Sequence, residues 1–354
     1  MYISFDAGEN WKPFQLNLPI VPITDLALKE NNLIVATQGR SLYIIDDLSM
    51  LHQAIEAEDT DAVHLYKPKD TYRMDGGSRK SNSAGTNHPS GVMTYFYLPE
   101  YDAEKDSISL TYFDAKNDTI KSYSTKGSED KLNVKEGANQ FNWDMTYDGA
   151  ERLPGMILWW ASTQGPQQIP GEYTVKLNVN GTDYTQPYTV LADPRSEATV
   201  ADMQAQFDFI SDVNETVDHA HQSIKKIRNI NAQLSAFEKQ YKDNPDTKEL
   251  REKSKTLRED LEEIEKALYQ TKNRSGQDPL NFPIKLTNKL AHLNSLVSMG
   301  DFAPTDQDIA VKNELTAKID AELNKFDTLV SDEVTAFNEA FNAMKLNYLF
   351  VEEE

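Results

Sequence analysis

The sequence predicts a multidomain chain that is β first and α second, on three observations. Runs with period-two alternation fill the first 195 residues. Apolar residues then recur at three-to-four spacing from 196 onward. Glycine and proline crowd the first part and are almost absent from the second, except around 275–304. The resulting partition is short β segments over 1–50, a β-sandwich over 51–195 and a long antiparallel helical bundle over 196–354.

The first zone contains three β-rich runs, 23–28, 33–37 and 41–45. Asn31-Asn32 and Gln38-Gly39 separate them as turns, so they predict a meander. In the second zone Thr94, Phe96 and Leu98 alternate with polar neighbours. So do Ile108, Leu110 and Tyr112, then Phe141, Trp143 and Met145, then Tyr173, Val175, Leu177 and Val179. Such alternation puts one face of each strand on a core and the other in water. About seven runs of this kind fit a sandwich of immunoglobulin-like size. The stretch 73–90, rich in Gly, Ser and Asn, is expected to be a loop.

The third zone carries helical stripes. Phe207, Ile210, Val213, Val217, His221, Ile224, Ile227 and Leu234 form the first, and Leu250, Leu257, Leu261, Ile264 and Leu268 the second. The last runs from Leu315 through Ile319, Leu323, Phe326, Val330, Val334 and Phe337 to Phe341. Expected helices cover 198–241, 246–272, 284–299 and 305–344. Ser196 is the expected first N-cap, Asn244-Pro245-Asp246 a turn, and Thr305 to Asp308 a capping box. The two middle helices together match one long one, so a three-legged bundle with a broken middle leg is favoured. A four-helix bundle is the alternative.

Composition narrows the function. The chain has 354 residues, 39% hydrophobic and 26% charged, and 36 basic against 57 acidic side chains give a net charge of −21. That balance argues against a nucleic-acid partner, whose phosphates need a basic surface. The charge is spread evenly, about −11 of it beyond residue 195, so it serves solubility rather than marking a site. With no cysteine, disulfides, thiol nucleophiles and thiolate metal sites are absent from the chain. No apolar run approaches the roughly 20 residues of a membrane span, so membrane insertion is not expected.

Ser4-Phe5-Asp6-Ala7-Gly8-Glu9-Asn10-Trp11 satisfies S-x-D-x-G-x-x-W, the Asp-box, at Ser4, Asp6, Gly8 and Trp11. In such a turn the carboxylate accepts backbone N–H groups, glycine supplies a left-handed backbone and the tryptophan packs a following strand. The role is structural rather than catalytic. Together with the segments 18–26 and 36–48, the motif resembles the closing blades of sortilin/VPS10-type BNR-repeat β-propellers. Bacterial members of that group are often labelled glycosyl hydrolases. Gln38 stands where that pattern usually has His, and Tyr43 where it often has Trp. The segments 137–144 and 170–175 are similar to paired strands of FlgD-type immunoglobulin-like domains, with Trp143 and Tyr173 as core residues.

The resemblance implies partial β-propeller blades over 1–50, because roughly 50 residues cannot close a propeller. It implies the C-terminal part of a larger exported protein, periplasmic or secreted. The remaining blades would come from the same precursor or a partner chain. The expected function is therefore a non-catalytic accessory or interaction region that supports or positions the propeller, with a protein or glycan ligand. The alternative is part of an exported glycoside hydrolase or carbohydrate-binding protein whose site lies mainly in other blades.

No catalytic residue, metal or cofactor is assigned. Arg40 can bind a carboxylate bidentately, and Asp46 and Asp47 are nominal glycosidase carboxylates. As neighbours on a strand, the two aspartates should face opposite ways. Paired tryptophans stack on sugar rings, which makes Trp159 and Trp160 the candidate carbohydrate contact; packing against a neighbouring domain is the commoner role. His219 and His221 lie about 200° apart around a helix and cannot share a metal. His221, on the apolar stripe, is expected to be an interior histidine.

Overall fold

A computed structural model of the chain describes residues 1–56, 62–74, 85, 87–127 and 130–346. The described residues form a mixed β and α structure divided into two compact units. One comprises Met1–Met145 and Gln168–Arg195, the other Thr146–Gln167 and Ser196–Glu354. Of the loop expected over 73–90, residues 75–84 and 86 lie outside the described residues.

The first unit opens with a two-stranded hairpin, β1 (Tyr2–Ile3) and β2 (Lys12–Pro13). A separate antiparallel meander follows in β3 (Ile23–Lys29), β4 (Asn32–Thr37) and β5 (Leu42–Ile45). Glu30 and Asn31 both have positive φ, 51° and 62°, the pair of left-handed residues that a tight two-residue hairpin needs. After α1 (Ser49–Glu56) come β6 (His64–Leu65), β7 (Thr71–Arg73), β8 (Val92–Leu98), β9 (Ile108–Phe113) and β10 (Thr119–Ser124). The remaining strands are β11 (Gly137–Trp143), β12 (Gly171–Val179) and β13 (Thr182–Ala192).

These later strands build two sheets, ordered β10-β9-β12-β13-β7 and β11-β8-β6. Alternation does its expected work, burying Ile108, Leu110 and Tyr112 of β9, Val175 and Leu177 of β12, and Phe96 and Leu98 of β8. Side chains of the two sheets meet. The Tyr112 ring lies 4.3 Å from Trp143 of β11, and its hydroxyl is 2.9 Å from Thr94 Oγ1 of β8. Tyr188 of β13 meets the same ring edge-on at 6.1 Å and stacks on Tyr173.

The second unit is mainly helical: α2 (Val200–Gln240), α3 (Lys248–Leu268), α4 (Leu286–Val297), α5 (Asp306–Thr328) and α6 (Thr335–Ala343). The N-cap of α2 is Thr199, three residues beyond the expected Ser196. Thr199 and Asp202 bond each other's backbone reciprocally, an arrangement that Ser196 does not make. Thr305 and Asp308 cap α5 in the same way.

Pairings give the helix directions. Glu238 bonds Ser254 and Arg258, and Arg228 bonds Glu265, so α3 runs opposite to α2. Asn214 with Asn294, and Gln206 with the Val297 carbonyl, set α4 opposite to α2 further along. Asp212 with Lys312 and Phe237 with Phe337 place α5 and α6 alongside α2 in its own direction. A π turn, Leu329–Val334, joins α5 to α6 where one continuous helix was expected. The apolar stripe continues through it, so side-chain spacing alone did not reveal the wider turn.

Thr146–Gln167 was assigned from sequence to the sandwich, yet it belongs to the helical unit. Its Ala150, Leu153 and Met156 join a core with Val217, Ile224, Leu261 and Leu290. The segment folds on itself as a hairpin, with Tyr147 N–H donating to Pro166 O and Ala150 N–H to Thr163 O. A Cβ at Gly149 would sit 1.9 Å from Thr163 O, and one at Gly165 2.0 Å from Tyr147 O. Only glycine permits that approach.

Candidate functional site

The Asp-box forms the loop between β1 and β2. Ser4 Oγ accepts the Gly8 N–H at 2.8 Å and donates to Asp6 Oδ1 at 2.8 Å. Asp6 also accepts the Asn10 backbone N–H at 2.8 Å and the Asn10 amide at 2.6 Å. Led by the Asn10 backbone bond, these donors hold the Asp6 carboxyl down at about 2. Gly8 takes φ +96°, open to glycine at no steric cost. The Trp11 indole folds back on its own turn, donating to Gly8 O at 3.0 Å, and stays 62% exposed. It therefore braces the loop rather than packing a following strand. Asp6 spends its acceptors within the turn, which leaves it a structural group.

Arg40 and Asp46 stand at opposite ends of β5, separated by roughly 13 Å of strand. Arg40 has no ion pair among the described residues and sits in an exposed turn between Gly39 and Ser41, both with positive φ. Strand alternation does not separate Asp46 from Asp47, because β5 ends at Ile45. Asp47 accepts the Ser49 N–H at 2.8 Å, at the start of α1. The Tyr95 phenol is pushed up first by burial and then by both aspartates. The three candidate residues are thus split between a turn and a helix entrance.

The meander has apolar side chains on both faces. Register places Leu26, Val35 and Tyr43 on one face with Leu28, Leu33 and Ile45. Ala27, Ile34 and Ile44 share the other with Ala36 and Leu42. Val35 alone in these strands is fully buried, while Leu26, Leu28, Leu42 and Ile44 are all more than half exposed. Among the described residues β3 and β5 each pair only with β4, so both outer edges are open.

Trp159 and Trp160 come from the hairpin docked on the helices. Their rings are parallel within 3°, with centroids 6.1 Å apart. Buried Asn288 of α4 grips Trp159 as a neighbouring strand would, accepting its N–H at 2.6 Å and donating to its carbonyl at 2.9 Å. His292 Nδ1 donates to the Trp160 carbonyl. Further along, Asn294 bonds Ser162 O, Asn214 bonds Gln164 O, and the Tyr269 hydroxyl accepts the Ile157 N–H. At the other end Asp218 accepts the Glu151 N–H, and His221 Nδ1 donates to Glu151 O at 2.6 Å. His221 is fully buried, and burial pushes its imidazole down, favouring the neutral ring. Held this way, Trp160 takes a left-handed φ of +49° and remains 75% exposed.

The buried amides Asn214, Asn288 and Asn294 were not picked out from sequence. Their signal was available, since each interrupts an apolar helical stripe, but only the docked backbone explains them. Among the described residues no group of three metal-ligating side chains is found, and no helix is long and apolar enough to cross a membrane. The chain matches no family model, no curated protein and no solved structure.

Proposed function

We propose that this chain is a non-catalytic accessory region of an Asp-box β-propeller protein of the sortilin/VPS10 type, working through protein–protein or domain–domain contact. In this reading β1 to β5 are parts of propeller blades and β6 to β13 an immunoglobulin-like sandwich. The helices are a three-legged bundle with a broken middle leg. Ring contacts between the two sheets support the sandwich. The pairing directions of α2 to α6 support the bundle.

One observation carries the functional reading: the meander bears apolar side chains on both faces, with Leu26 and Leu28 on one and Leu42 and Ile44 on the other more than half exposed. Strands patterned this way belong in sheets covered on both sides. Open edges beside them are sites for further pairing. Neighbouring blades, from the same precursor or a partner, would supply that cover. Size-exclusion chromatography with hydrogen exchange tests this. Self-association, or fast exchange along the outer edges of β3 and β5, is expected; a stable monomer with strongly protected β3–β5 amides overturns it.

A second reading, carbohydrate contact, is favoured by the exposed and backbone-clamped Trp160 ring. Glycan binding that persists after Trp159→Ala and Trp160→Ala together rejects it. Neither reading expects glycoside turnover by this chain, and hydrolysis of a chromogenic glycoside, lost on mutating Asp46 or Asp47, would favour the hydrolase alternative.

A further inference from the structure

We infer that the outer edge of β5 is a self-association surface, where two copies of this chain pair antiparallel and join their three-stranded meanders into one continuous sheet. The two outer edges of the meander are built differently. On β3 the register slips between Ile23 and Asp25, and the Asp25 carboxylate accepts the Leu26 N–H at 2.9 Å. A bulge and a charge on the edge both blunt a strand against further pairing. β5 pairs with β4 without a slip, and Leu42-Tyr43-Ile44-Ile45 holds no charge, proline or glycine. Its Leu42 and Ile44 are 64% and 57% exposed.

Register fixes which backbone groups β5 presents. Lys29 and Asn32 close the two-residue hairpin, so that pair exchanges its hydrogen bonds, and alternation carries the pattern across the sheet. Ala27 and Ile34 then bond each other, which turns the backbone groups of Leu33 and Val35 toward Ile45 and Tyr43 of β5. Thr37, in phase with them, donates its N–H to Ser41 O at 3.3 Å on the same side. The N–H and C=O of Leu42 and Ile44 therefore point outward. Antiparallel pairing centred on Tyr43 sets Leu42 opposite Ile44 of a second copy, in bonding phase on both sides of the centre. Opposite residues share a face, so these exposed side chains cover each other.

Charge selects the occupant. Arg40 lies in the turn before β5 and Asp46 just after the strand, both exposed, and neither makes an ion pair among the described residues. Antiparallel pairing reverses the order of one copy against the other. A two-fold axis at Tyr43 therefore brings the Arg40 turn of each copy beside Asp46 of the other, with one unlike pair at each end. Shifting the pairing by two residues keeps the backbone phase but sets Arg40 against Ile44, or Asp46 against Leu42, and loses both pairs. The edge of β5 is thus its own complement in backbone phase, apolar cover and charge. This pairing needs only the open edge, whether or not the meander belongs to propeller blades.

Sedimentation equilibrium of the full chain, with residue-resolved hydrogen exchange, tests the pairing. The parent should dimerise reversibly. The Leu42 and Ile44 amides should slow as the dimer fills, while Tyr43 and Ile45 stay protected at every concentration. Arg40→Asp and Asp46→Arg each set like charges at both ends and should weaken the dimer about tenfold. An equimolar mixture of the two variants sets unlike charges at both ends again and should recover the parent's affinity, which misfolding of either variant would not produce. Ile44→Pro removes one outward N–H but no bond to β4, and should leave a folded monomer. The inference is overturned by a dimer that Ile44→Pro does not change, by a mixture as weak as each variant alone, or by a parent still monomeric at about 100 μM. In that last case, freely exchanging edge amides leave the blade reading standing, whereas strong protection throughout β3–β5 overturns both.

Discussion

The β3–β5 meander is paired strand and the Thr146–Gln167 hairpin is irregular but for one bridge, and they leave opposite things unfinished. The meander satisfies its inner backbone through its own ladder but exposes Leu26, Leu28, Leu42 and Ile44. The hairpin buries Ala150, Leu153 and Met156 in the helical core, and helix side chains bond much of its backbone. Backbone pairing alone can shape a segment without giving it a core. Where side chains are buried as well, the segment becomes part of the body that covers it.

Breaking the hairpin should therefore cost far more than altering the meander. Gly165→Ala forces a methyl group onto the Tyr147 carbonyl and should destabilise the helical unit by about 3 kcal/mol in urea melts. Asn288→Ala strands the N–H and carbonyl of Trp159 and should cost about 2 kcal/mol by the same measurement.

Acidity sharpens the contrast between the units. Burial lowers the folded pKa of His221 below its ordinary value near 6.5, so the unfolded chain takes up the proton first. The contribution of the neutral ring is complete above that pH and is lost as the pH falls through it toward the folded value. Melts at pH 7.5 and 5 should show the helical unit weakening, with a smaller change in His221→Gln. In the meander, Leu28→Lys with Ile44→Lys should leave thermal stability within about 0.5 kcal/mol, because both side chains are exposed. The same pair should abolish any self-association seen by light scattering.

The smallest effect belongs to the Asp-box. The Asp6 carboxyl is held at about 2, so its turn is fully braced above the ordinary carboxylate value and loosens as the pH falls through about 2. Amide shifts of Gly8 and Asn10 should follow that titration and lose it in Asp6→Asn.

Much of this was legible in the residues. Alternation located β8, β9 and β12, and the three-to-four stripes located α2, α3 and α5, because side-chain period reports which face is buried. The Asp-box bonds followed from local chemistry, since Ser4, Asp6, Gly8 and Asn10 are all within one turn. That the hairpin groups with the helices is not legible in the sequence, because it has no periodicity and its partners are distant. Trp159 meets Asn288 across 129 residues, and Glu151 meets His221 across 70.

By itself, then, the sequence determined the order of β and α zones, the capping box at Thr305 and the Asp-box turn. Each depends on contacts a few residues apart, where the chain has little freedom to choose. Tertiary structure decided which body owns Thr146–Gln167, where α5 widens into a π turn, and which polar groups are left without partners. Those outcomes depend on burial by distant segments, and burial determines whether a polar or apolar group is satisfied.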